Sequence, residues 1–526
     1  MSGRIKEVII LETSDMHGNI LPINYADNRR SEHGLAKVST LIKEERRKNS
    51  YLILIDNGDI IQGTPLAYYF ARINKTSINP IIKAMNHMKY DAAVVGNHDF
   101  NYGREMLEKS MEESDFPWLS ANILREDDGR PYCGRPYIIK DFDGIKVAVL
   151  GITTSYIPNW ENPVHIKGIK FENPVATAEK WVKHLRENEK VDVLVVSYHG
   201  GFERDIEIGE PTEELTGENQ AYEICMKLPE IDVLLTGHQH RVIEGKNVNG
   251  VLVLQPGSLG KSLGKVTLKI QNQNERWSII EKKSEVIHVK EFQDDKEIVD
   301  LVKSYEEEVR KWLDKPIGRI KGDMRVKDPM EIRLKDNPFI EFINRVQMKC
   351  SGATISSTAL FDNNAPGFPE NVTMRDIVAN YIYPNTLKVL RLKGKDIKEA
   401  LEKSASYFET YDGGKIRVNS EFIFPKVQHY NYDMWEGIEY KINISRPSGQ
   451  RVVELKYRGK PIDMEEEYDV VMNNYRATGG GNYFMFKGKP VVKDINIDMA
   501  ELIANYIMEK GTIEAAVDNN WEVIHD

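Results

Sequence analysis

Cysteine is scarce in this chain of 526 residues. The three cysteines, Cys133, Cys225 and Cys350, lie far apart and form no Cys-x-x-Cys pair. A disulfide framework needs more cysteines, and a thiolate zinc site needs closer ones. Both classes of site are therefore excluded.

Long apolar runs and a basic excess are also lacking. No run reaches the roughly 18 apolar residues that a membrane-spanning helix requires. The net charge is −10, which argues against long nucleic acid as a partner, because no basic excess can meet its phosphates. The first residues lead directly into an apolar strand without an apolar leader, which indicates a cytoplasmic protein.

What the chain does contain is enough apolar sequence for more than one core. Hydrophobic residues make up 41% and charged residues 29%, as in ordinary globular proteins. Strand-like runs alternate with helical patterns, which predicts an α/β fold. We predict a first domain over 1–290, a linker helix over 291–314 that ends before Pro316, and a second domain over 315–526.

Five strand-like runs of the first domain end in polar residues that can bind metal. The most informative follows Ala92 to Val95 and reads Gly96-Asn97-His98-Asp99. Similar endings are Asp15-Met16-His17, Asp56-Asn57-Gly58-Asp59, Ser197-Tyr198-His199 and Gly237-His238-Gln239-His240. One such ending alone is typical of a turn. In an open α/β sheet, ligands bind beyond the carboxyl ends of the strands, so five endings together predict one shared site.

The residue types indicate a site for two divalent metals. Asp15 and His17 are spaced i, i+2, as are His238 and His240, which in extended backbone directs both side chains to one side. Imidazole nitrogen combined with carboxylate and amide oxygen suits Mn, Zn, Fe or Co. The predicted first ion takes Asp15, His17, Asp59 and His240, and the second takes Asp59, Asn97, His199 and His238.

A shared carboxylate at Asp59 would hold two ions about 3.5–4 Å apart, a spacing suited to in-line attack of water on phosphorus. His98 cannot be a ligand if its neighbour Asn97 is one. We predict instead that His98 stabilises the developing charge or protonates the leaving oxygen.

These motifs resemble those of the calcineurin-like metallophosphoesterases, and nearly the whole chain is similar to the two-domain 5′-nucleotidase family. Within that family it resembles the bacterial 2′,3′-cyclic-nucleotide 2′-phosphodiesterase/3′-nucleotidases. The phrases that carry the likeness are Asp56 to Leu66, Gly96 to Gly103, Tyr383 to Leu387 and Asn473 to Gly480. The resemblance implies a four-layer α/β-sandwich metal domain followed by a C-terminal α/β domain that binds the nucleotide.

In this family two aromatic side chains sandwich the base. The resemblance places them at Tyr432 and Tyr483, with Tyr430 as the alternative to Tyr432. Without the resemblance, core packing is the more ordinary interpretation of these tyrosines.

Two positions depart from the 5′-nucleotidase pattern. The 5′-nucleotidases have Asp three positions after the catalytic His, where this chain has Asn101. They also have an Arg-containing segment that contacts the nucleotide, where this chain reads Ser356 to Phe361 without Arg. Both departures favour the cyclic-phosphodiesterase branch.

The sequence therefore predicts a dinuclear-metal enzyme that hydrolyses 2′,3′-cyclic nucleotides to 3′-nucleotides and then to nucleoside and phosphate. A 5′-nucleotidase or UDP-sugar hydrolase, a catalytically silent nucleotide sensor and a nuclease are the alternatives. The expected partner is a small nucleotide, with no membrane and no long nucleic acid. Family members are often exported, which conflicts with the cytoplasmic prediction, and the sequence does not determine the oligomeric state.

Overall fold

The computed structural model describes residues 5–526 except 27, 214, 274, 275, 382, 384, 425 and 496. The chain divides into two compact units, Met1–Val309 and Arg310–Asp526. Strands and helices are numbered below in chain order. The division falls inside the long helix α7 (Lys296–Leu313), which lies within the predicted linker.

The first unit contains two six-stranded mixed sheets. The first sheet runs in the order β14 (Arg276–His288), β13 (Ser262–Gln273), β1 (Ile5–Thr13), β2 (Leu52–Asp56), β3 (Ala92–Val94) and β4 (Trp118–Leu119). The second runs in the order β11 (Val242–Val248), β12 (Val251–Pro256), β10 (Val233–Thr236), β9 (Val193–His199), β7 (Ile145–Thr153) and β6 (Tyr137–Phe142). Strands β1 to β4 are parallel to one another, as are β7, β9, β10 and β12. Their carboxyl ends therefore share one edge within each sheet.

The two sheets pack face to face through alternate apolar residues. The shared core contains Val8, Ile10, Ile53, Ile55 and Val94 from the first sheet and Val147, Val149, Val193, Val195, Val233 and Leu235 from the second. The period of two is that of side chains on one face of a strand. Because both faces of the central strands are buried, these strands read as continuous apolar runs in the sequence.

Helices cover the outer faces of the two sheets and give the predicted four layers. The described α-helices that precede α7 are α1 (Leu35–Lys48), α2 (Pro65–Tyr68), α3 (Pro80–Met88), α4 (Arg104–Glu112), α5 (Pro174–His184) and α6 (Ala221–Lys227). Apolar residues of α5 and α6 pack on the second sheet, and α1 packs on β13 of the first. Asn79 and Asn173 cap α3 and α5, each before a proline at the first helical position.

One predicted strand, Trp118 to Ile123, is two short strands in the structure. It divides into β4 and β5 (Ile123–Arg125), and β5 pairs with β8 (Ile169–Phe171). The break occurs at Asn122, whose buried side chain bonds the backbone of Thr153 and Glu172. Competition between an Asn side chain and the strand ladder explains the interruption.

The second unit is also mixed α/β. Its five-stranded sheet runs in the order β21 (Asp433–Glu436), β17 (Ile355–Ala359), β25 (Glu467–Asn473), β20 (Leu387–Lys393) and β26 (Val491–Ile495). A four-stranded sheet runs β24 (Lys460–Pro461), β23 (Val452–Tyr457), β22 (Glu439–Asn443) and β28 (Trp521–Ile524). Two small sheets join β19 (Asn371–Thr373), β15 (Pro316–Lys321) and β27 (Thr512–Glu514), and β16 (Met324–Arg325) with β18 (Gly367–Phe368).

Helices α8 to α13 complete the second unit. They are α8 (Pro329–Ile332), α9 (Pro338–Ser351), α10 (Met374–Asn380), α11 (Gly394–Ala405), α12 (Asn474–Ala477) and α13 (Met499–Lys510). They enclose a core rich in aromatic side chains, among them Tyr407, Trp435 and Tyr440. Among the described residues of the whole chain, no helix combines the length and apolar character needed to cross a bilayer.

Candidate metal centre

The seven predicted ligands lie just beyond or at the ends of five strands. Asp15 and His17 follow β1, Asp59 follows β2, and Asn97 follows β3. His199 is the last residue of β9, and His238 and His240 follow β10. The structure brings six of them together in two groups, one of Asp15, His17 and His240 and one of Asp59, His199 and His238.

Backbone conformation at these strand ends differs from the expectation. Asp15, His17, Asp59, His238 and His240 all have φ between 46° and 64°, in the left-handed region. The extended-backbone reason for the i, i+2 pairs was therefore wrong. His238 and His240, which the prediction assigned to different ions, lie in different groups. Non-glycine residues held in this region cost free energy and are typical of functional sites.

In the first group three ligand atoms face one another. The Nε2 atoms of His17 and His240 are 3.2 Å apart, and His240 Nε2 lies 3.2 Å from Asp15 Oδ1. Asp15 is fully buried, and its Oδ2 accepts hydrogen bonds from the Ser14 hydroxyl and the His238 backbone amide. Both bonds fix the carboxylate in position.

The second group gathers around the amide oxygen of Asn97. This Oδ1 lies 3.0 Å from His199 Nε2 and 2.9 Å from His238 Nδ1. Asn97 Oδ1 therefore lies where it could join both histidines on one ion, as a neutral ligand.

One oxygen of Asp59 lies between the two groups. Its Oδ2 is 3.3 Å from His199 Nε2 and 3.9 Å from His17 Nε2. Two ligands on one ion, each about 2.0–2.2 Å from it, are separated by at most the sum of those distances. The distances between these ligand atoms, 2.9 to 3.9 Å, lie within that limit, so the donor set fits two cations that share Asp59.

Hydrogen bonds at the far side of the imidazoles select the tautomer that a metal needs. His199 Nδ1 donates to the Asn57 carbonyl at 2.7 Å, and His17 Nδ1 donates to the Gln62 carbonyl at 3.1 Å. Since a carbonyl can only accept, each Nε2 is left unprotonated when the ring is neutral. His238 instead turns Nδ1 inward, and its Nε2 pairs with Glu218 at 2.9 Å.

The charges in the centre are strongly coupled. Burial raises the pKa of Asp15 and Asp59, but His240 and His199 respectively outweigh it and hold both pKa values below the ordinary range. Burial lowers the pKa of His17 to about 4. For His199, the charge of Asp59 overcomes burial and raises the pKa to about 10. The buried carboxylates are thus arranged to attract positive charge.

Glycine at position 96 is required by the approach of the Asp59 loop. A Cβ on Gly96 would lie 2.2 Å from both the backbone nitrogen and Oδ1 of Asp59. Gly58, with φ of 100°, faces Gly96 from the other side. No side chain larger than hydrogen fits between the two ligand loops.

Asp99 lies in the Gly-Asn-His-Asp motif, but its residue type and position predicted no specific role. Its buried carboxylate accepts hydrogen bonds from the backbone amides of Gly96, Asp59, Ile60 and Ile61. Asp99 therefore holds the two ligand loops together.

His98 lies beside the centre and is oriented by Asn101. Its Nδ1 is 2.7 Å from Asn101 Oδ1, and its backbone amide donates to Asp59 Oδ1 at 2.7 Å. The Asn101 amide nitrogen in turn donates to Glu161 Oε2 at 2.7 Å. Glu161 was missed, because nothing in the sequence links it to a residue 60 positions earlier.

Comparisons with known proteins agree with this geometry. Residues 9–242 match the calcineurin-like phosphoesterase family model, and residues 316–488 match the 5′-nucleotidase C-terminal domain model. A solved Staphylococcus aureus protein, provisionally named a 5′-nucleotidase and bound to alpha-ketoglutarate, is 35% identical. Its alignment covers 99% of this chain and all of that one, with a TM-score of 0.90. The chain belongs to the two-domain 5′-nucleotidase family, in which a calcineurin-like phosphoesterase domain precedes a 5′-nucleotidase C-terminal domain.

Two curated members of the family add more specific names. The 2′,3′-cyclic-nucleotide 2′-phosphodiesterase/3′-nucleotidase of Salmonella typhimurium is 28% identical, over 98% of this chain and 88% of its own. The trifunctional nucleotide phosphoesterase YfkN of Bacillus subtilis is 27% identical over 98% of this chain. This chain spans 38% of the length of YfkN.

The two tyrosines at the family's base-binding positions are placed differently from the expectation. Tyr432 is 1% exposed, packs against Tyr407 and Phe408, and donates its hydroxyl to the Arg333 carbonyl. Tyr483 is completely buried, with its hydroxyl on Ser404 and the Asn431 carbonyl. Neither ring offers a face on which a base could stack, because both are built into the core of the second unit.

The alternative tyrosine, Tyr430, is half-buried. Its ring lies 6.4 Å from that of Tyr383, which in turn contacts Phe361. These three aromatic side chains form a partly accessible group in the second unit.

Proposed function

We propose that this chain is a dinuclear-metal phosphohydrolase that converts 2′,3′-cyclic nucleotides to 3′-nucleotides and then to nucleoside and phosphate. The observation that carries the proposal is the position of Asp59. Its Oδ2 lies 3.9 Å from His17 Nε2 and 3.3 Å from His199 Nε2, so it could bind the same ion as either histidine. A carboxylate shared in this way suits two ions that act together on one phosphate.

Asp15, His17, Asp59 and His240 would hold one cation, and Asp59, Asn97, His199 and His238 the other. When bound, the pair lowers the pKa of water and neutralises charge on the phosphoryl oxygens. Asp59 and Asp15 supply the negative charge, while the carbonyls of Asn57 and Gln62 keep His199 and His17 in the ligand tautomer.

His98 acts on the leaving oxygen. Because Asn101 Oδ1 holds its Nδ1, the Nε2 atom is the one directed to substrate. In the first reaction water adds to phosphorus, the bond to O2′ breaks, and O2′ takes a proton. In the second, another water adds to phosphorus, the bond to O3′ breaks, O3′ takes a proton, and phosphate and nucleoside are released. Positioned imidazoles supply such protons in many hydrolases.

Two features support the cyclic substrate over a 5′-monophosphate. The side chain that orients the His98 ring, three positions later, is Asn101 rather than the Asp of 5′-nucleotidases. Residues 356–361, which correspond to the Arg-containing segment of those enzymes, include no Arg. In addition, Ser356 and Ser357 lie buried in β17 and cannot replace an Arg at the substrate.

A 5′-nucleotidase is the second candidate, favoured by the provisional name of the 35% identical Staphylococcus aureus protein. Phosphate release from 2′,3′-cyclic AMP (with a phosphatase added to reveal 3′-AMP), 3′-AMP and 5′-AMP separates the two. We expect the first two to be turned over faster than 5′-AMP. Rapid hydrolysis of 5′-AMP without hydrolysis of 2′,3′-cyclic AMP would favour the 5′-nucleotidase. Background activity on all three substrates after loading with Mn²⁺ would favour a catalytically silent binding protein.

A further inference from the structure

A second group of metal-binding side chains lies in the C-terminal unit, outside the centre described above. Asp336 precedes α9, Glu341 is in its first turn, Glu436 ends β21, and Asp518 lies between β27 and β28. Each offers a carboxylate oxygen, and these four oxygens all lie within 4.8 Å of one another. We call this group the acidic cluster.

Three members of the acidic cluster are removed from solvent. Asp336 is 7% exposed, Glu436 3% and Glu341 0%, whereas Asp518 is exposed. Carboxylates are rarely buried unless they are paired with a cation or coordinate a metal. The exposed Asp518 leaves the cluster open to solvent on one side.

Residues 518–520 donate a hydrogen bond to one oxygen of each buried acid. The backbone amide of Asn519 donates to Asp336 Oδ2, that of Asp518 to Glu341 Oε2, and the Asn520 side-chain amide to Glu436 Oε2. Within the described part of the chain, the other oxygens of two acids, Asp336 Oδ1 and Glu436 Oε1, are buried without a hydrogen-bond partner, as is Asn520 Oδ1.

Positive charge in the acidic cluster is insufficient. Arg345 pairs with Glu341, but one guanidinium can neutralise only one of four carboxylates. Burial, reinforced by the charges of Asp336 and Asp518, raises the pKa of Glu436 to about 9. Leaving buried polar atoms unsatisfied costs free energy, and a cation among them would remove that cost.

We propose that the acidic cluster is a divalent cation site and that its ligand is Ca²⁺. All four of its donors are carboxylate oxygens. Ca²⁺ takes six to eight such ligands in flexible geometry, whereas Mg²⁺ usually keeps several waters and is bound through one or two carboxylates. The all-oxygen donor set distinguishes the cluster from the centre of the first unit, whose mixed ligands suit other metals.

Titration calorimetry of the full chain with Ca²⁺ after chelator treatment tests the proposal. We expect one Ca²⁺ to bind per chain. The midpoint of thermal unfolding should be higher with Ca²⁺ than with Mg²⁺ at the same concentration. Because ligand charge sets affinity, Glu436→Gln and Asp518→Asn should each weaken Ca²⁺ binding on the order of tenfold or more. Asp518→Asn is at an exposed position, so the test does not depend on a core substitution that prevents folding.

Glu514→Gln is the matched control, since Glu514 is an exposed carboxylate of the same unit that pairs with Lys321. It should leave Ca²⁺ binding unchanged, as should His199→Ala in the first unit. The proposal is overturned if the unsubstituted chain binds no Ca²⁺, if neither acidic-cluster variant weakens binding, or if His199→Ala abolishes it. If the chain binds no Ca²⁺ but becomes more stable to unfolding at lower pH, the acidic cluster consists of protonated carboxyl groups instead.

Discussion

The side-chain amide of Asn101 donates a 2.7 Å hydrogen bond to the carboxylate of Glu161. Through its other atom, Oδ1, the same amide holds His98 Nδ1 at 2.7 Å. An amide alone cannot stabilise an imidazolium as a carboxylate does. Here a carboxylate is present, but it lies one residue farther out and contacts His98 only through the Asn101 amide.

We expect substitutions in this arrangement to lower kcat more than they change KM. Glu161→Gln and Asn101→Ala should each reduce kcat roughly tenfold to a hundredfold, the range found when outer partners of site residues are removed. Steady-state kinetics on 3′-AMP, together with metal content, measures this. A proportional loss of bound metal would show that the residues act on folding of the centre instead.

The double variant Asn101→Asp with Glu161→Gln moves the carboxylate next to His98. It should recover kcat relative to Asn101→Asp alone, in which two carboxylates face each other and repel. Equal activity of the single and double variants would contradict coupling between these positions.

The shared position of Asp59 predicts an unequal effect of ligand substitutions. Asp59→Asn should lose both ions and reduce hydrolysis to background, whereas His240→Ala should retain the ion of the other group. Metal analysis of the purified variants after loading with excess Mn²⁺ measures the ratio. Retention of two ions per chain by Asp59→Asn would remove the basis for a bridging carboxylate.

The strand ends in the first unit could be predicted because buried parallel strands and their polar endings follow one another in the sequence. All seven predicted ligands lie in one place for this reason. The left-handed backbone at five of these ligands could not be read from spacing, because the i, i+2 pattern was interpreted as extended backbone.

Base recognition in the second unit could not be predicted as well. Tyr432 packs against Tyr407, and the Tyr483 hydroxyl donates to the Asn431 carbonyl and accepts a hydrogen bond from Ser404. Both rings therefore lie in the core rather than at a surface that a base could reach. Glu161 was invisible for a related reason, because contacts between distant loops leave no periodic pattern.

Gly96→Ala is expected to disrupt the centre although alanine is the smallest change available. The new Cβ would meet the Asp59 backbone and carboxylate at 2.2 Å, so the bridging ligand must move. We expect loss of bound metal and of activity. Gly414→Ala is the control, because the nearest atom there is the flexible Asp412 carboxylate at 3.3 Å. Normal metal content in Gly96→Ala would mean that the loops tolerate the displacement.

Tyr430 is the tyrosine we expect to contact the base. Stacking on a base is worth about 1–3 kcal/mol, so Tyr430→Ala should raise KM for nucleotides about fivefold to 150-fold with a smaller effect on kcat. Tyr483→Phe should leave KM unchanged and lower only the free energy of unfolding, because it removes a buried hydroxyl contact. If Tyr483→Phe raises KM and Tyr430→Ala does not, Tyr483 is the tyrosine that contacts the base.

The ion pair of Arg476 and Asp433 should be the most sensitive charged contact in the second unit. Both side chains are buried, and the guanidinium bonds both carboxylate oxygens, at 2.8 and 3.0 Å. Arg476→Met leaves Asp433 buried and uncompensated, which should lower the free energy of unfolding by about 3–5 kcal/mol. Adding Asp433→Leu should restore part of that loss, since no charge then remains buried. Arg391→Met, which breaks the exposed pair with Asp469, should have little effect in the same denaturant titration. If both arginine variants unfold at the same denaturant concentration, the buried pair contributes no more than a surface contact.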